Sequence, residues 1–363
     1  MQPNRFTNNL REYPLASHKA WEHKDKAAVL KLDWNESDLR LPLRIRKAVT
    51  AFVMDGPTHW YPDIANRHLI AAIAHYVKVP EAYVQYFAGE DSALDYAVRA
   101  FVAEGDDVVL MAPTYDNFRV YVESIGATPR FVYGKNLFVP DIAALMKGIT
   151  PRTKMVYLVN PNNPTGALYS AKDIERALTA FPKVVFIVDE AYGEFAGKTV
   201  VPLTQKYKNL IVGKSFSKAF GLASYRMGYL ITAPENLVHI NKIRNGKSIS
   251  ALSQVAALAA LKDPSYSKRY VAETRRAMRY LRTELAKLGF SVTETAGNFV
   301  LIELADPRAF AATLRDRGVF IRTLDHLPSM ERHVRVTVGT MATARTFVTI
   351  LKDLMKKGAI AAH

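Results

Sequence analysis

Short apolar segments that alternate with amphipathic helical patterns are the feature that most constrains how this chain folds. The candidate strands are residues 107–111, 155–160, 184–189, 210–213 and 228–232. All are rich in Val, Ile and Leu without polar alternation, which is typical of strands buried on both faces of a sheet. Strands of this kind that alternate with helices predict an α/β fold with a mostly parallel sheet.

The pattern changes after about residue 240. Helical periodicity covers residues 252–288, and shorter candidate strands follow at 298–304 and 334–338 with a helix between them. A chain of 363 residues is long enough for more than one core. The predicted parts are an N-terminal arm with part of a small domain at 1–45, a large domain at 46–240 and an α+β small domain at 241–363.

Composition and charge narrow the class of protein. The sequence has no cysteine, which excludes disulfides, thiolate metal sites and a cysteine nucleophile. The net charge of +15 favours anionic partners, but the basic residues are scattered without a dense tract. We therefore expect a cytoplasmic protein with a solvated basic surface, with small-molecule ligands, and without a metal site or a nucleic-acid or membrane partner.

The string Asn-Pro-Asn-Asn-Pro-Thr-Gly at residues 160–166 directly follows a predicted strand. Its position matters, because ligand sites in parallel α/β sheets lie at the carboxyl ends of the strands. Proline and asparagine favour a rigid turn, from which Asn163 can donate a fixed hydrogen bond to a ligand. A plain strand-to-helix turn is the alternative interpretation.

Asp189 ends a wholly apolar strand, where an unpaired carboxylate is costly to bury. A protonated pyridine nitrogen is a suitable partner, since the carboxylate holds that proton and the positive ring withdraws electrons from a substrate carbanion. Tyr192, three residues later, is placed to hydrogen-bond a phenolic oxygen of the same ring. An aspartate that caps the next helix is the alternative.

Ser215, Ser217, Lys218 and Arg226 stand close together after another predicted strand. A lysine near other positive charge keeps more of the neutral amine that nucleophilic attack requires, so Lys218 is the candidate for a Schiff base. The two hydroxyls and the guanidinium can hold one phosphate. The preceding Gly-Lys-Ser is similar to the end of a P-loop, but that motif requires a glycine where the chain has Lys208.

A second candidate phosphate site lies where a helix is expected to begin. Capping-box patterns predict helix starts at Ser92 and at Ser170. Because backbone N–H groups at a helix N-terminus bind phosphate, Glu90, Asp91 and Ser92 are candidate binding residues. Tyr115 follows a further strand and can stack on an aromatic ring, with a core tyrosine as the alternative.

Together these strings resemble the fold-type I pyridoxal 5′-phosphate (PLP) enzymes, the family of aspartate aminotransferase, and especially the branch of histidinol-phosphate aminotransferases. The likeness runs from about residue 13 to residue 340. It rests on Asn-Asn-Pro-Thr-Gly at 162–166, Asp-Glu-Ala-Tyr at 189–192 and Ser-x-Ser-Lys-x-x-Gly-Leu-x-x-x-Arg at 215–226. The family implies a large PLP-binding domain with a mostly parallel seven-stranded sheet, a smaller α+β domain and an aminotransferase reaction.

The resemblance also implies a role for each site residue. Lys218 binds the cofactor as a Schiff base and moves the proton, while Asp189 pairs with the ring nitrogen. Asn163 and Tyr192 are implied to hydrogen-bond the ring oxygen, and Tyr115 to stack on the ring. The implied contacts of the phosphate are Asp91, neighbouring backbone N–H groups, Ser215, Ser217 and Arg226.

Residues outside this set concern the substrate and a partner subunit. Tyr61 matches a tyrosine that reaches the phosphate of the partner subunit, which implies a homodimer with shared active sites. Arg335 matches the arginine that binds the α-carboxylate of the substrate, a contact suited to the bidentate guanidinium. Arg322 and Tyr13 match residues that the branch uses on the substrate's own phosphate.

The chain departs from the branch at two places that border the site. The branch has Gly-Ala-Asp-Glu where this chain has Gly-Glu-Asp-Ser at 89–92, and an acidic Glu90 beside a phosphate is repulsive unless its side chain points away. The branch has Asn-Glu-Asn-Pro where this chain has Asn-Glu-Ser-Asp at 35–38, next to Trp34. The substrate therefore stays open. With glutamate as the expected donor, the candidates are histidinol phosphate with its ketone imidazole-acetol phosphate, an aromatic amino acid, and an amino sugar or antibiotic precursor.

Three rival classes remain at this point. A PLP lyase or decarboxylase of the same fold would use the same Lys218 and Asp189, so the cofactor motifs do not separate it from an aminotransferase. A PLP-binding regulator usually has an added DNA-binding domain, for which the sequence before residue 13 is too short. A nucleic-acid-binding protein is argued from charge alone.

Overall fold

Two β-sheets form the framework of the protein. The computed structural model describes residues 1–12 and 19–362, and within them the strands form one sheet of seven and one of five. The strands are β1 (Leu30–Leu32), β2 (Val84–Phe87), β3 (Asp107–Ala112), β4 (Thr128–Tyr133), β5 (Thr153–Val159), β6 (Val185–Asp189), β7 (Leu210–Ser215), β8 (Gly228–Thr232), β9 (Ser291–Glu294), β10 (Phe299–Glu303), β11 (Val319–Thr323) and β12 (His333–Thr337).

Helices cover both sheets. None in the described part of the chain has the length and apolar character to cross a bilayer. The helices are α1 (Arg5–Asn8), α2 (Lys19–Glu22), α3 (Leu43–Asp55), α4 (Arg67–Val77), α5 (Glu90–Phe101), α6 (Asn117–Ser124), α7 (Ile142–Gly148), α8 (Ala171–Ala180), α9 (Gly193–Ala196), α10 (Pro234–Ile243), α11 (Ala251–Leu261), α12 (Ser265–Lys287), α13 (Pro307–Arg315) and α14 (Met341–Lys356).

The larger sheet has the order β2-β8-β7-β6-β5-β3-β4. Strands β4, β3, β5, β6 and β7 run parallel, whereas β8 is antiparallel to both of its neighbours. The smaller sheet has the order β1-β11-β12-β10-β9, so a strand from the start of the chain joins strands from its end. The predicted α/β fold, with a mostly parallel seven-stranded sheet and a smaller α+β part, is confirmed.

Burial explains which strands the sequence predicted. Strands β3, β7 and β8 are buried along their whole length, and β5 and β6 nearly so, as expected from their apolar runs. Strand β4 lies at the sheet edge with four of its six residues exposed, and it contains Pro129, which an edge position tolerates. Because β4 lacks the continuous apolar run, the sequence analysis did not find it.

One predicted helix start is correct and one is wrong. Ser170 caps α8, where its hydroxyl accepts a hydrogen bond from the Asp173 N–H. Ser92, in contrast, lies inside α5, which begins at Glu90. Gly89 has φ of +86°, a value that glycine adopts at no steric cost, and it caps the helix three residues before the predicted cap at Ser92. The Ser92 hydroxyl instead donates to the Ala88 carbonyl at 3.0 Å.

The core of the larger sheet continues past the predicted division at residue 240. Helix α11 packs against α3 and α4, and its alanines Ala256 and Ala257 are buried in the same cluster as Leu69 and Ile73. The smaller sheet has its own core, in which β10 and β12 pack with α12 and α14. The division at residue 240 stays a prediction, and these contacts place α11 with the larger sheet.

A buried group of three charges lies under β7. The Lys214 Nζ is 3.2 Å from the Glu190 carboxylate and 3.1 Å from the Glu194 carboxylate, and all three side chains are largely shielded from solvent. Glu190 also accepts hydrogen bonds from the Thr199 hydroxyl and the Val200 N–H, both at 2.6 Å. Charges removed from water in this way stabilise the fold only while they stay paired.

Removal of this lysine is therefore expected to destabilise the protein. We expect Lys214→Met to lower the free energy of unfolding by about 3–5 kcal/mol, because two buried carboxylates lose their cation. Lys206→Met is the matched control, since Lys206 pairs with Glu175 at 2.7 Å on the surface and such pairs contribute about 0–1 kcal/mol. Denaturant unfolding of both variants measures the difference. Equal losses of unfolding free energy in the two variants would contradict the prediction that the buried charges contribute more than a surface pair.

Candidate active site

The predicted site residues meet in one pocket at the carboxyl ends of β5, β6 and β7. Its volume is about 550 Å³. Ser92 is not among its lining residues, Tyr61 lies on the exposed surface, and Tyr13 lies outside the described residues. The predicted residues that line the pocket are Glu90, Asp91, Tyr115, Asn163, Asp189, Tyr192, Ser215, Ser217, Lys218, Arg226, Arg322 and Arg335.

Lys218 follows β7 and points into this pocket. Its Nζ donates to the Trp34 carbonyl at 2.8 Å, which fixes the end of a flexible side chain. Burial, followed by the positive charge of Arg335, lowers the pKa of Lys218 to about 8, although Glu36 opposes this shift. The lysine thus has a much larger neutral fraction near neutral pH than an exposed lysine has, and a neutral amine is the nucleophilic form.

Asp189 ends β6 with its carboxylate held in a fixed orientation. The Tyr157 hydroxyl donates to Oδ2 at 2.7 Å, and the Ala191 N–H donates to Oδ1 at 3.0 Å. Tyr157 is itself fixed by stacking on Phe118, with the ring centroids 3.7 Å apart. Burial raises the pKa of Asp189, while these two hydrogen bonds oppose that shift. The carboxylate is thus prepared for a cationic partner in the pocket.

A group of donors forms one end of the pocket. Helix α5 begins there without a side-chain cap, so the N–H groups of its first turn can bind an anion. The Arg226 guanidinium lies against Gly89, where a Cβ atom would come within 2.6 Å of it. The hydroxyls of Ser215 and Ser217 line the same pocket. This combination of a helix N-terminus, a guanidinium and two hydroxyls matches the needs of a phosphate.

Asp91 connects this end of the pocket to Tyr115. Its Oδ1 accepts from the Tyr115 hydroxyl at 2.9 Å, and its Oδ2 accepts from Arg226 at 3.1 Å. Asp91 therefore orients an aromatic ring on one side and a guanidinium on the other. The Glu90 side chain turns away from this group, because its carboxyl lies over Gly213, the residue of β7 that pairs with Asp189.

The smaller sheet closes the opposite side of the pocket. Arg335 lies in β12, directly opposite Arg322 of the neighbouring strand β11. Its guanidinium donates to the Asn163 side-chain oxygen and to the Asp33 carbonyl, both at 2.6 Å. Two arginines thus line the pocket that also contains the Lys218 amine, and either guanidinium can bind an anionic group of a ligand.

Asn35 holds Tyr192 in place, a contact that the sequence analysis missed. The Asn35 side-chain N–H donates to the Tyr192 hydroxyl at 3.1 Å, and the Asn35 backbone N–H donates to the Thr337 hydroxyl at 3.0 Å. Asn35 is fully buried and has φ of +54°, a value that asparagine tolerates better than most residues. The sequence next to Trp34 does not indicate this backbone conformation, so the contact between Asn35 and Tyr192 could not be predicted from it.

Other lining residues were also missed or only named as neighbours. Tyr157 lies in mid-strand, where the sequence indicates only a core tyrosine. Glu36 lines the pocket and pairs with Lys31, whose Nζ lies 4.3 Å from the centroid of the Trp34 ring. Trp21 lines it as well. Tyr157 and Trp21 stand in no motif, and the fold alone brings them to the site.

Comparison with known proteins defines the family. The family model described as "Aminotransferase class I and II" matches residues 27–351 of this chain. The chain therefore belongs to this aminotransferase family, and its architecture is that of the fold-type I PLP enzymes.

Individual relatives make the assignment more specific. The chain is 37% identical over 364 residues to the dihydroxyacetone phosphate transaminase of Campylobacter jejuni subsp. jejuni, with 98% of each chain covered. It is 34% identical over 335 residues to the histidinol-phosphate aminotransferase of Methanococcoides burtonii, with 91% of each covered. The crystal structure of the histidinol-phosphate aminotransferase from Sinorhizobium meliloti in complex with pyridoxal-5′-phosphate gives a TM-score of 0.88 at 25% identity, with 98% of both chains covered. The chain thus lies in the branch of histidinol-phosphate aminotransferases.

The residues of the pocket fit PLP. The donors around the start of α5 suit its phosphate, the Asp189 carboxylate suits its ring nitrogen, and the Lys218 amine suits its aldehyde. When bound, PLP supplies an aldehyde that binds amino groups and a ring that withdraws electrons. The cofactor of this family is therefore matched by the side chains of this chain.

The lowered pKa of Lys218 leads to a pH prediction. We expect the rate at which the apoprotein captures PLP to rise with pH and to level off above about 8, because only the neutral amine attacks the aldehyde. Stopped-flow absorbance over a pH series measures this rate. Lys218→Ala should lose the borohydride-reducible link to PLP, and Lys242→Ala, which removes an exposed lysine, should keep it. An inflection near the ordinary lysine value of 10.5 would contradict the prediction.

Proposed function

We propose that this aminotransferase moves an amino group from glutamate to a small ketone that has a phosphate ester on the adjacent carbon. The observation that carries the proposal is the pair Arg322 and Arg335, which stand opposite each other in β11 and β12 and line the pocket of Lys218. Both the carboxylate of the donor and the phosphate of the acceptor need a cation. Two neighbouring guanidiniums provide one for each.

The names of the relatives support the phosphate ester. Dihydroxyacetone phosphate and the ketone that corresponds to histidinol phosphate share one unit, a carbonyl group next to a phosphorylated CH2 group. They differ in the substituent on the other side of the carbonyl. We infer that this shared unit is what the present chain recognises, and that the wall with Trp21, Trp34 and Glu36 selects the variable substituent.

The side chains divide the work of this reaction. Arg335, held by Asn163 and by the Asp33 carbonyl, orients the α-carboxylate of glutamate, and Arg322 binds the phosphate of the ketone. The neutral Nζ of Lys218 takes the proton from the amino-bearing carbon of the donor and later returns a proton to the acceptor. Asp189 holds the proton at the ring nitrogen, while Tyr192 and Asn163 hydrogen-bond the ring oxygen. Burial raises the pKa of Tyr192, which keeps its hydroxyl protonated as a donor.

Substitution of the two arginines should affect the two halves of the reaction differently. We expect Arg322→Gln to lower kcat/KM for dihydroxyacetone phosphate and imidazole-acetol phosphate by about 10- to 100-fold, since a hydrogen bond to a charged group contributes about 1.5–3 kcal/mol. The half-reaction with glutamate should change by less than threefold. Arg335→Gln should show the opposite order, with glutamate affected most. Single-turnover absorbance measures both halves.

A substrate panel controls this experiment. Unphosphorylated dihydroxyacetone should be a poor acceptor for the wild type and should lose nothing further in Arg322→Gln. Phenylpyruvate tests an aromatic substrate. If phenylpyruvate is converted faster than both phosphorylated ketones, the phosphate-ester proposal is wrong, and the chain is an aromatic amino acid aminotransferase.

We further propose that the enzyme is a homodimer in which Tyr61 reaches the phosphate of the partner's PLP. The support is a run of exposed large apolar side chains within residues 53–61. Tyr61 is itself 80% exposed, and Trp60, Met54 and Val53 are exposed as well. Exposed apolar side chains that collect in one region mark an interaction surface. The cytoplasmic location and the lack of a nucleic-acid partner stay predictions.

Tyr61→Phe tests the shared site. We expect this variant to weaken PLP binding about tenfold or more, because a hydrogen bond to a charged phosphate is lost while the ring is kept. Tyr133→Phe is the control, because Tyr133 is partly exposed at the edge strand β4, away from the pocket. Fluorescence titration of the apoprotein measures the affinity, and sedimentation measures the mass. A monomer, or an unchanged affinity in Tyr61→Phe, would exclude the shared site.

A further inference from the structure

Glu90 is a buried acid at the start of α5. It is only 7% exposed, although it is the first residue of α5. Its Oε1 lies over Gly213, where a Cβ atom would come within 2.6 Å. Gly213 is the residue of β7 that pairs with Asp189 of β6. A larger residue at position 213 would exclude the Glu90 carboxyl, so this glycine makes room for an acid beside Asp189.

The surroundings of Glu90 give its carboxyl little compensation for a charge. Lys214 is the cation that opposes the rise in the pKa of Glu90, and its Nζ is already shared by Glu190 and Glu194. The groups that face Glu90 from the elements around it are Asp91 in α5, Tyr157 in β5, Asp189 and Tyr192 at the end of β6, Lys214 in β7 and Tyr229 in β8. Two neighbouring buried carboxyls with so little compensation are not both ionised, so the pair Glu90–Asp189 holds one proton.

The hydrogen bonds decide which of the two acids keeps this proton. Asp189 accepts from the Tyr157 hydroxyl and from the Ala191 N–H, and both bonds favour the carboxylate. The Oε1 atom of Glu90 has no hydrogen-bond partner among the described residues. Burial and the neighbouring Asp189 raise the pKa of Glu90 well above its usual value. Glu90 is therefore the neutral member of the pair, and Asp189 is the anion.

We propose that Glu90 is a positioning residue that keeps the shared proton and donates it in a hydrogen bond to Asp189. This inference rests on the proposed pairing of Asp189 with the ring nitrogen of PLP. The pair Glu90–Asp189 then has one negative charge, which matches the one positive charge of a protonated ring. Glu90 is the third hydrogen-bond donor to Asp189, after Tyr157 and Ala191, and this added donor lowers the basicity of the Asp189 carboxylate. The proton between Asp189 and the ring consequently stays on the nitrogen, the form in which the ring withdraws electrons most strongly.

Ring protonation can be measured directly. Solid-state NMR of holoenzyme that contains PLP labelled with 15N in the ring distinguishes protonated from neutral nitrogen. The wild type and Glu90→Gln should both give the protonated signal, because glutamine also donates to Asp189. Glu90→Met has similar volume and no donor, so its signal should move toward neutral pyridine. An unchanged signal in Glu90→Met, or the same movement in Glu90→Gln, would overturn the proposal.

A second variant separates the failure of this inference from failure of the pairing on which it rests. Asp189→Asn removes the carboxylate itself and should give neutral pyridine. If that variant keeps the protonated signal, the pairing of Asp189 with the ring is wrong. If Asp189→Asn responds and Glu90→Met does not, the pairing holds and the role of Glu90 alone is refuted.

Thermal unfolding of the full-length apoprotein tests the retained proton without the cofactor. Above the ordinary glutamate value of 4.5, the unfolded chain has lost a proton that folded Glu90 still holds, so the stability conferred by Glu90 falls as pH rises. The Tm of the wild type relative to Glu90→Gln should thus fall by about 2 °C per pH unit between pH 5 and the raised pKa. A Tm difference that is independent of pH in this range would overturn the proposal.

Discussion

The contacts of the Arg335 guanidinium hold the active site together. Arg335 belongs to the smaller sheet, yet it donates to Asn163 on the loop after β5 of the larger sheet and to the Asp33 carbonyl. Hydrogen bonds from a charged donor contribute about 1.5–3 kcal/mol each, a sizeable fraction of the net stability of a folded protein. These hydrogen bonds thereby fix the position of the substrate-binding side of the pocket relative to its cofactor-binding side.

The carboxylates of the pocket accept hydrogen bonds from fixed donors. The half-exposed Asp91 accepts from Tyr115 and Arg226, and the buried Asp189 accepts from the Tyr157 hydroxyl. Hydrogen bonds to the charged form offset part of the cost of burying Asp189. The Lys218 amine, in contrast, has a lowered pKa, because it is buried and lies near the Arg335 guanidinium. A weakened base thus stands where a nucleophile is required.

Contiguous strings were predictable from the sequence. Asn163, Asp189 and Lys218 each follow a buried strand, so local apolar runs and the geometry of parallel sheets were sufficient to place them together. The antiparallel direction of β8 was not predictable, because a strand buried on both faces has the same apolar composition in either direction. The cap of α5 was predicted three residues late, since the turn at Gly89 outweighed the capping preference of Ser92.

Contacts between distant parts of the chain were beyond the sequence. Asn35 reaches Tyr192 and Thr337 only because β1 pairs with β11, and no local pattern encodes that pairing. Tyr157 looks like any core aromatic until β5 and β6 are placed side by side. The orientation of Glu90 depends on the missing side chain of Gly213, which is an effect of a neighbour rather than of the residue itself.

The pairing of β1 with β11 also has a consequence for biosynthesis. Residues 30–32 leave the ribosome early, but the strand that they join is made almost 300 residues later. Until then, the Asp33 and Trp34 carbonyls have neither Arg335 nor a closed pocket to face. Domains generally fold as units during synthesis, so the larger sheet can form while the chain is still growing. The complete PLP pocket, in contrast, can form only after synthesis of the smaller sheet, which makes cofactor capture one of the last steps in the maturation of this enzyme.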